Sequence, residues 1–289
     1  MAQLFETLCM MLAFKESHSL AMHYCRLVWD VRSLSNYISK GGRVYSDKLS
    51  KLVIKIDDLS EGCVLDRINR IYSRILIDEV QDFTGYDLEI FRELCCRNKN
   101  VLLVGDIRQA TYRTHFEQKN REYANGGIVK YAKTCIKDIV IDESSLNTTH
   151  RNNKSICDFA NSIYPEMPPC ASDMDCITGH DGIFWVKDTD VNAYLKKYNL
   201  VQLRNNVRTK VNEEYRVLSY GTAKGLSFDR VLIYPTKPML DWITGKTKIL
   251  KAESRSKFYV AVTRARYSVA FVYKTVNAPE IKIGECWKI

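Results

Sequence analysis

The chain has 289 residues, 46% hydrophobic and 27% charged, which excludes a disordered or fibrous protein and leaves room for one large or two modest domains. Lys plus Arg exceeds Asp plus Glu by 43 to 34, a formal net charge of +9; that excess favours a polyanionic partner such as nucleic acid without requiring one. No apolar run approaches the ~20 residues of a membrane span, and the ten cysteines include no C-x-x-C pair, so a cytoplasmic chain with free thiols is expected, with no membrane association.

Residues 1–73 read as a mainly helical segment, with apolar residues at three- and four-residue steps and a break at Gly41-Gly42. The run Leu8–Phe14 reads as a buried helix face and not a signal peptide, because acidic Glu6 precedes it and no basic leader does. From Arg74 the rhythm changes. Short apolar runs at Ile75–Ile77, Val101–Val104, Ile139–Ile141, Ile183–Val186, Leu200–Leu203, Arg216–Ser219, Val231–Tyr234 and Val269–Tyr273 are predicted strands. Helical patterns fall between them at Tyr86–Cys96, Lys154–Ile163, Asn192–Tyr198 and Ser254–Arg264. Continuous apolar strands alternating with helices predict an α/β fold whose parallel sheets are covered on both faces. The periodicity is interrupted near 125–137, so two tandem parallel-sheet domains are expected, an incomplete first one over 74–135 and a second over 136–289.

The first of these strands runs into charge: "ILIDEVQD" places Asp78 and Glu79 at its carboxyl end, where functional residues gather in such sheets. One carboxylate can hold a magnesium ion while its neighbour orients or deprotonates a water, the division of labour that nucleoside triphosphate hydrolysis needs. The alternative is that both merely cap the next helix or make surface ion pairs. A second strand ends in "GDIRQATY". Gly105 allows a tight turn, Gln109 is a neutral side chain able to sense a terminal phosphate, and Tyr112 is an aromatic able to stack on a base or to pack internally. Cys170, Cys176 and His180, with Cys157 further back, are the one cluster to weigh as a zinc site, but their spacing matches no common finger.

These two blocks resemble consecutive motifs of the UvrD/Rep group of superfamily-one DNA helicases, and three more follow in order. "NTTHRNNKSICDFANSIYP" resembles the family's arginine motif, usually N-Y-R-S; "YGTAKGLSFDRVLI" resembles A-K-G-L-E-F; "KFYVAVTRARYSVAFVY" resembles Y-V-A-x-T-R-A-R. The resemblance covers residues 74–273 and implies two RecA-like, P-loop NTPase-like domains using ATP and Mg²⁺ to move on DNA, with 3′-to-5′ polarity in the family's manner. It implies Asp78 (magnesium), Glu79, Gln109, Arg151 and Arg264 as catalytic groups, with Gln109, Arg151, Gly225 and Arg264 touching nucleotide, and Tyr112, Arg113 and Lys224 touching DNA.

The chemistry supports that reading. Arg151, expected at the start of one helix, and Arg264, expected at the end of another, carry permanently charged planar groups that match phosphoryl oxygens. Carboxylates from one domain and arginines from the other would let a nucleotide clamp the two, and hydrolysis release them. Arg266 reads better as a surface ion pair. A basic track near Arg108, Arg113, Lys224 and Arg230 is expected to bind DNA phosphates with salt-dependent affinity. Ser227 stands where the family has glutamate and Gly221 where it has histidine, so the ribose contact of this loop is not implied.

No G-x-x-x-x-G-K-[ST] cradle occurs in residues 1–73, and Gly245-Lys246-Thr247 lacks the first glycine, Leu240 standing there. The expectation is an amino-terminally shortened helicase or a naturally abbreviated one, with weak or absent ATP turnover. Little separates the arginine block from the "AKGL" block, so no accessory subdomain is expected between them. Stretches outside the generic motifs, "TGHDGIFWVK" and "KKYNLVQLR" among them, resemble the UvrD-like helicase subunit of Gabija antiphage systems. That resemblance implies antiviral defence and an OLD-family ATPase/Toprim nuclease as partner. A catalytically silent DNA-binding scaffold and a DNA repair helicase fragment are the competing readings.

Overall fold

A computed structural model of the chain describes residues 37, 45, 48–98, 100–111, 119–275 and 283–288. The run Leu8–Phe14, Gly41-Gly42, Tyr112 and Arg113 lie outside the described residues. The chain divides into two compact units, residues 1–107 with 112–141, and residues 108–111 with 142–289. Both are mixed α/β, and every strand pair described is parallel, as expected.

The first unit holds α1 (Leu49–Leu59), α2 (Cys63–Ile71), β1 (Ile75–Ile77), α3 (Tyr86–Arg97), β2 (Val101–Leu103) and α4 (Ile128–Cys135). Helices α1 and α2 bear out the expected helical segment as far as it is described. Ile75 and Ile77 alternate inward onto a core that includes Leu65, Leu88, Phe91, Leu94 and Tyr131. Arg97 fastens the helices together: it pairs with the buried Asp57 of α1 at 3.0 Å and donates to the carbonyl of Gly62 at 2.8 Å, at the head of α2. Cover on both sheet faces is not met among the described residues. Leu76 and Leu102 stand opposite each other, 66% and 57% exposed.

The second unit contains β3 (Thr148–Asn153), α5 (Lys154–Ile163), β4 (Ala171–Met174), β5 (Gly182–Lys187), α6 (Val191–Tyr198), β6 (Val201–Arg204), β7 (Val217–Ser219), β8 (Phe228–Ile233), α7 (Lys237–Ile243), α8 (Ala252–Val262), β9 (Ala265–Tyr273) and β10 (Glu285–Cys286). Six strands form one sheet in the order β10-β5-β9-β8-β6-β7. Its central segments Val231–Ile233 and Val269–Phe271 are fully buried, which explains their all-apolar sequence. On one face Phe159 of α5 meets Phe258, Phe271 and Trp242 at ring distances of 5.6 to 6.2 Å. On the other face α6 brings Tyr194 and Leu195 against Val186, Leu232 and Ala270.

The expected strand at Ile139–Ile141 is not one. Ile139 and Ile141 pack on the first unit's core while Val140 is 92% exposed, and among the described residues no strand pairs with them. Conversely β3 and β4 form a separate parallel pair that apolar runs do not reveal, since "TTHRNN" and "ASDM" are polar.

His180 belongs to the α6 face and is not a metal ligand in this arrangement. Its ring lies between Phe184 and Tyr198, with centroids at 3.9 and 3.8 Å, and its Nε2 is 2.7 Å from the Tyr194 hydroxyl. Among the described residues no group of three metal-ligating side chains forms, and the described cysteines are free thiols. Burial, with Arg230 nearby, pushes the His180 imidazole down to about 4. The folded state therefore disfavours protonation: His180 contributes its full stability above about pH 6.5 and loses it as pH falls toward 4, a loss on the order of 3 kcal/mol. Urea midpoints measured across that range should fall on acidification, and His180→Phe should flatten this limb.

Candidate functional site

In the first unit, β1 delivers Asp78 and Glu79 at its carboxyl end, as expected. Asp78 is exposed and accepts the backbone N–H of Glu79 on its Oδ1 at 2.7 Å. Its second carboxylate oxygen has no partner among the described residues. Glu79 takes a left-handed backbone, φ 57 and ψ 37, which costs a residue with a Cβ of order 1 kcal/mol and persists only where surroundings impose it. The surroundings here are Val80, whose N–H donates to the Val104 carbonyl at 3.2 Å, and Gln81. Gln81 is a residue that sequence reasoning passed over within its own motif. It is buried, its amide nitrogen donates to the Glu79 carboxylate, and its Oε1 accepts the Asp106 backbone N–H at 3.1 Å. One glutamine thus ties the "DE" turn to the loop after β2. Gly105 is required there: an added Cβ would fall against Gln81 Oε1 and 2.9 Å from Val80 Cγ2. The requirement is close approach, not only the tight turn expected.

In the second unit, Gln109, Gly225–Leu226 and Arg264 come together. Arg264 follows α8 and precedes β9, and only 1% of it is exposed. Its Nε donates to the Val260 carbonyl at 3.1 Å, Nη1 to the Leu226 carbonyl at 3.2 Å, and Nη2 to Gln109 Oε1 at 3.2 Å and Thr263 Oγ1 at 3.1 Å. A buried guanidinium is tolerable only with its donors occupied, and three of the sequence blocks supply acceptors. Gln109 lies in a short 3-10 turn, Ile107–Gln109. Beside it Arg108 lies over the Tyr259 ring, 5.2 Å from its centroid, and offers its carbonyl to the Tyr164 hydroxyl at 3.2 Å. The Gly225 turn has φ +79 with open space around it, so the glycine serves backbone conformation there. Lys224, half-buried, sits in the same turn.

Arg151 departs from expectation in its element. It lies in β3, three residues before α5 begins, and is half-buried. Asn153 caps α5 instead, accepting the Ile156 N–H at 3.1 Å. Arg266 pairs with Asp229 at 3.3 Å on the surface, as expected. Arg230 is no free member of a basic track: it is held by Thr178 Oγ1 at 2.6 Å and flanked by the rings of Tyr198 and Tyr267. Gly245-Lys246-Thr247 is a helix-end turn, the amides of Lys246 and Thr247 both donating to the Asp241 carbonyl, so it cradles no phosphate.

Comparisons with known proteins give partial matches. Residues 24–118 match the UvrD/REP helicase N-terminal domain. A curated relative, the probable DNA helicase II homolog of Mycoplasma genitalium, is 29% identical over 125 residues; that match spans 42% of this chain and 17% of the relative. Among solved structures, the PRRSV helicase overlaps with a TM-score of 0.44 at 20% identity, over 71% of this chain and 35% of that one. An arterivirus nonstructural protein 10 helicase in complex with DNA overlaps with a TM-score of 0.41 at 17% identity, over 69% and 39%. The chain therefore spans well under half the length of these proteins.

The Gly105 contact yields a direct test. Gly105→Ala should displace Gln81 and lower folding stability by about 1–3 kcal/mol, read from denaturant midpoints, whereas Gly225→Ala should be limited to the cost of its backbone angle, about 1 kcal/mol.

Proposed function

We propose that this chain is the ATP-using motor portion of a UvrD-like DNA helicase built on RecA-like domains. The observation that carries the reading is the meeting of three separate motif blocks at one buried guanidinium, that of Arg264, which donates to Gln109 and to the Leu226 carbonyl. The amino-terminal family match over the "DE" strand supports it independently.

In this reading Glu79 orients and deprotonates the attacking water, Gln109 senses the terminal phosphate, and Arg151 and Arg264 stabilise charge developing on it. The exposed Asp78 carboxylate, with one oxygen committed to a backbone N–H, suits a magnesium ion held by one or two carboxylates and substrate phosphates, which needs no larger acidic cluster. Bound magnesium supplies neutralisation of phosphate charge. Lys224 contacts the DNA backbone from the Gly225 turn, and Tyr112 and Arg113 complete the DNA contacts. The finer proposal, supported by the stretches outside the generic motifs, is a Gabija-type antiviral role beside an OLD-family nuclease in the cytoplasm. No helix among the described residues is long and apolar enough to cross a membrane.

A second reading, a DNA-binding scaffold without turnover, is favoured by the lack of a G-x-x-x-x-G-K-[ST] motif in the sequence. Single-stranded DNA titrations at several salt concentrations, with ATP hydrolysis measured alongside, test both. Affinity should fall as salt rises, and Lys224→Ala should reduce the log–log slope by about 1. Hydrolysis by the chain should be weak, and Glu79→Gln should remove it. Salt-indifferent DNA binding, or turnover untouched by Glu79→Gln, defeats the motor reading; sound DNA binding with no turnover at all selects the scaffold.

A further inference from the structure

We infer that Asn152 is the positioning residue for Arg264, an inference that rests on the nucleotide role proposed for that arginine. Asn152 is 5% exposed, and its Nδ2 donates to two backbone carbonyls, Thr263 at 3.0 Å and Ala265 at 2.5 Å. Those carbonyls flank Arg264. The carbonyl of Arg264 points the other way and accepts the Phe228 N–H of β8 at 2.8 Å.

The sheet leaves this duty to a side chain. Pairing of β9 with β5 begins only at Ser268, opposite Gly182, so the carbonyls of Thr263, Ala265 and Tyr267 lie before that ladder starts. Buried carbonyls without partners are costly. Asn152 takes the first two, and Asn153 takes the third, donating to Tyr267 at 2.6 Å while its Oδ1 caps α5. Two neighbouring asparagines therefore stand in for a missing strand.

The orientation of the Asn152 amide follows from its surroundings. Its Nδ2 faces two acceptors, and its Oδ1 lies 3.4 Å from the Thr149 hydroxyl; a flipped amide would set oxygen against two carbonyls. The backbone of Asn152 is itself held, its carbonyl accepting the Ser172 hydroxyl at 2.6 Å. In the N-Y-R-S motif that this block resembles, serine follows the arginine. A serine carries one donor and cannot bridge both carbonyls. Here the residue next to one proposed phosphate-binding arginine fixes the backbone on both sides of the other.

The test uses the whole chain with ¹⁵N-labelled arginine, following exchange of the Arg264 Nε–H with solvent, together with ATP·Mg titration. Asn152→Ser should speed that exchange about 5- to 10-fold, the loss of one buried hydrogen bond, and weaken ATP binding in parallel. Asn153→Asp, which keeps the helix cap but drops the Tyr267 contact, should leave Arg264 exchange unchanged. Thr149→Val, a milder change, should speed it less than Asn152→Ser and serves if that variant does not fold. Unchanged Arg264 exchange in both Asn152→Ser and Thr149→Val, or equal acceleration by Asn153→Asp, overturns the inference. Arg264→Ala separates the two ideas: ATP affinity untouched by it sinks the nucleotide role and leaves the exchange result standing.

Discussion

A buried positive charge organises the second unit. Arg264 is almost wholly removed from solvent, and a guanidinium in that position must spend its donors on oxygens held at fixed places. The Val260 carbonyl at the end of α8, the Leu226 carbonyl after the glycine turn and the Gln109 amide each supply one. Segments far apart in sequence are thereby committed to a common point. The aromatic cluster around Phe159 supplies bulk stability, but bulk burial is non-directional; the hydrogen-bonded arginine is what specifies where the turns sit.

The first unit uses a neutral side chain for the same end. Gln81 bridges the Glu79 carboxylate and the Asp106 amide, and the missing side chain of Gly105 gives it room. An amide is suited to this because it offers donor and acceptor at once without adding charge beside a carboxylate. The two units thus each hold their chemical residues through a buried polar contact between motif blocks, one charged and one neutral.

Much of this was readable from the residues. Apolar runs located five of the six strands of the larger sheet, most clearly the central β8 and β9, which are buried on both faces, while the short exposed β10 left no such run. Helix α5 matched its expected bounds because Asn153 caps it and Ile156, Phe159, Ala160 and Ile163 share one side. The polar β3 and β4 were not legible, since their pairing rests on backbone and on Asn and Ser side chains instead of a hydrophobic pattern. Ile139–Ile141 misled for the converse reason: its outer two apolar residues serve packing on a core, with no strand alongside among the described residues. Of the candidate site residues, those on strand ends and turns could be placed in advance, but the Gln109–Arg264 contact spans 155 positions, and no local pattern encodes a partner at that range. Asn152 was overlooked because it acts on backbone carbonyls, which leave no trace in residue type, and Gln81 because half of its bridge is the backbone N–H of Asp106 in another block.

The left-handed backbone at Glu79 carries a consequence for anyone who evolves this protein toward heat tolerance. Glycine or asparagine at that position would relax the torsion, yet either would delete the carboxylate. Conformational ease and chemical capacity compete at a single codon there, so selection for robustness alone would tend to erase the group on which hydrolysis is proposed to depend.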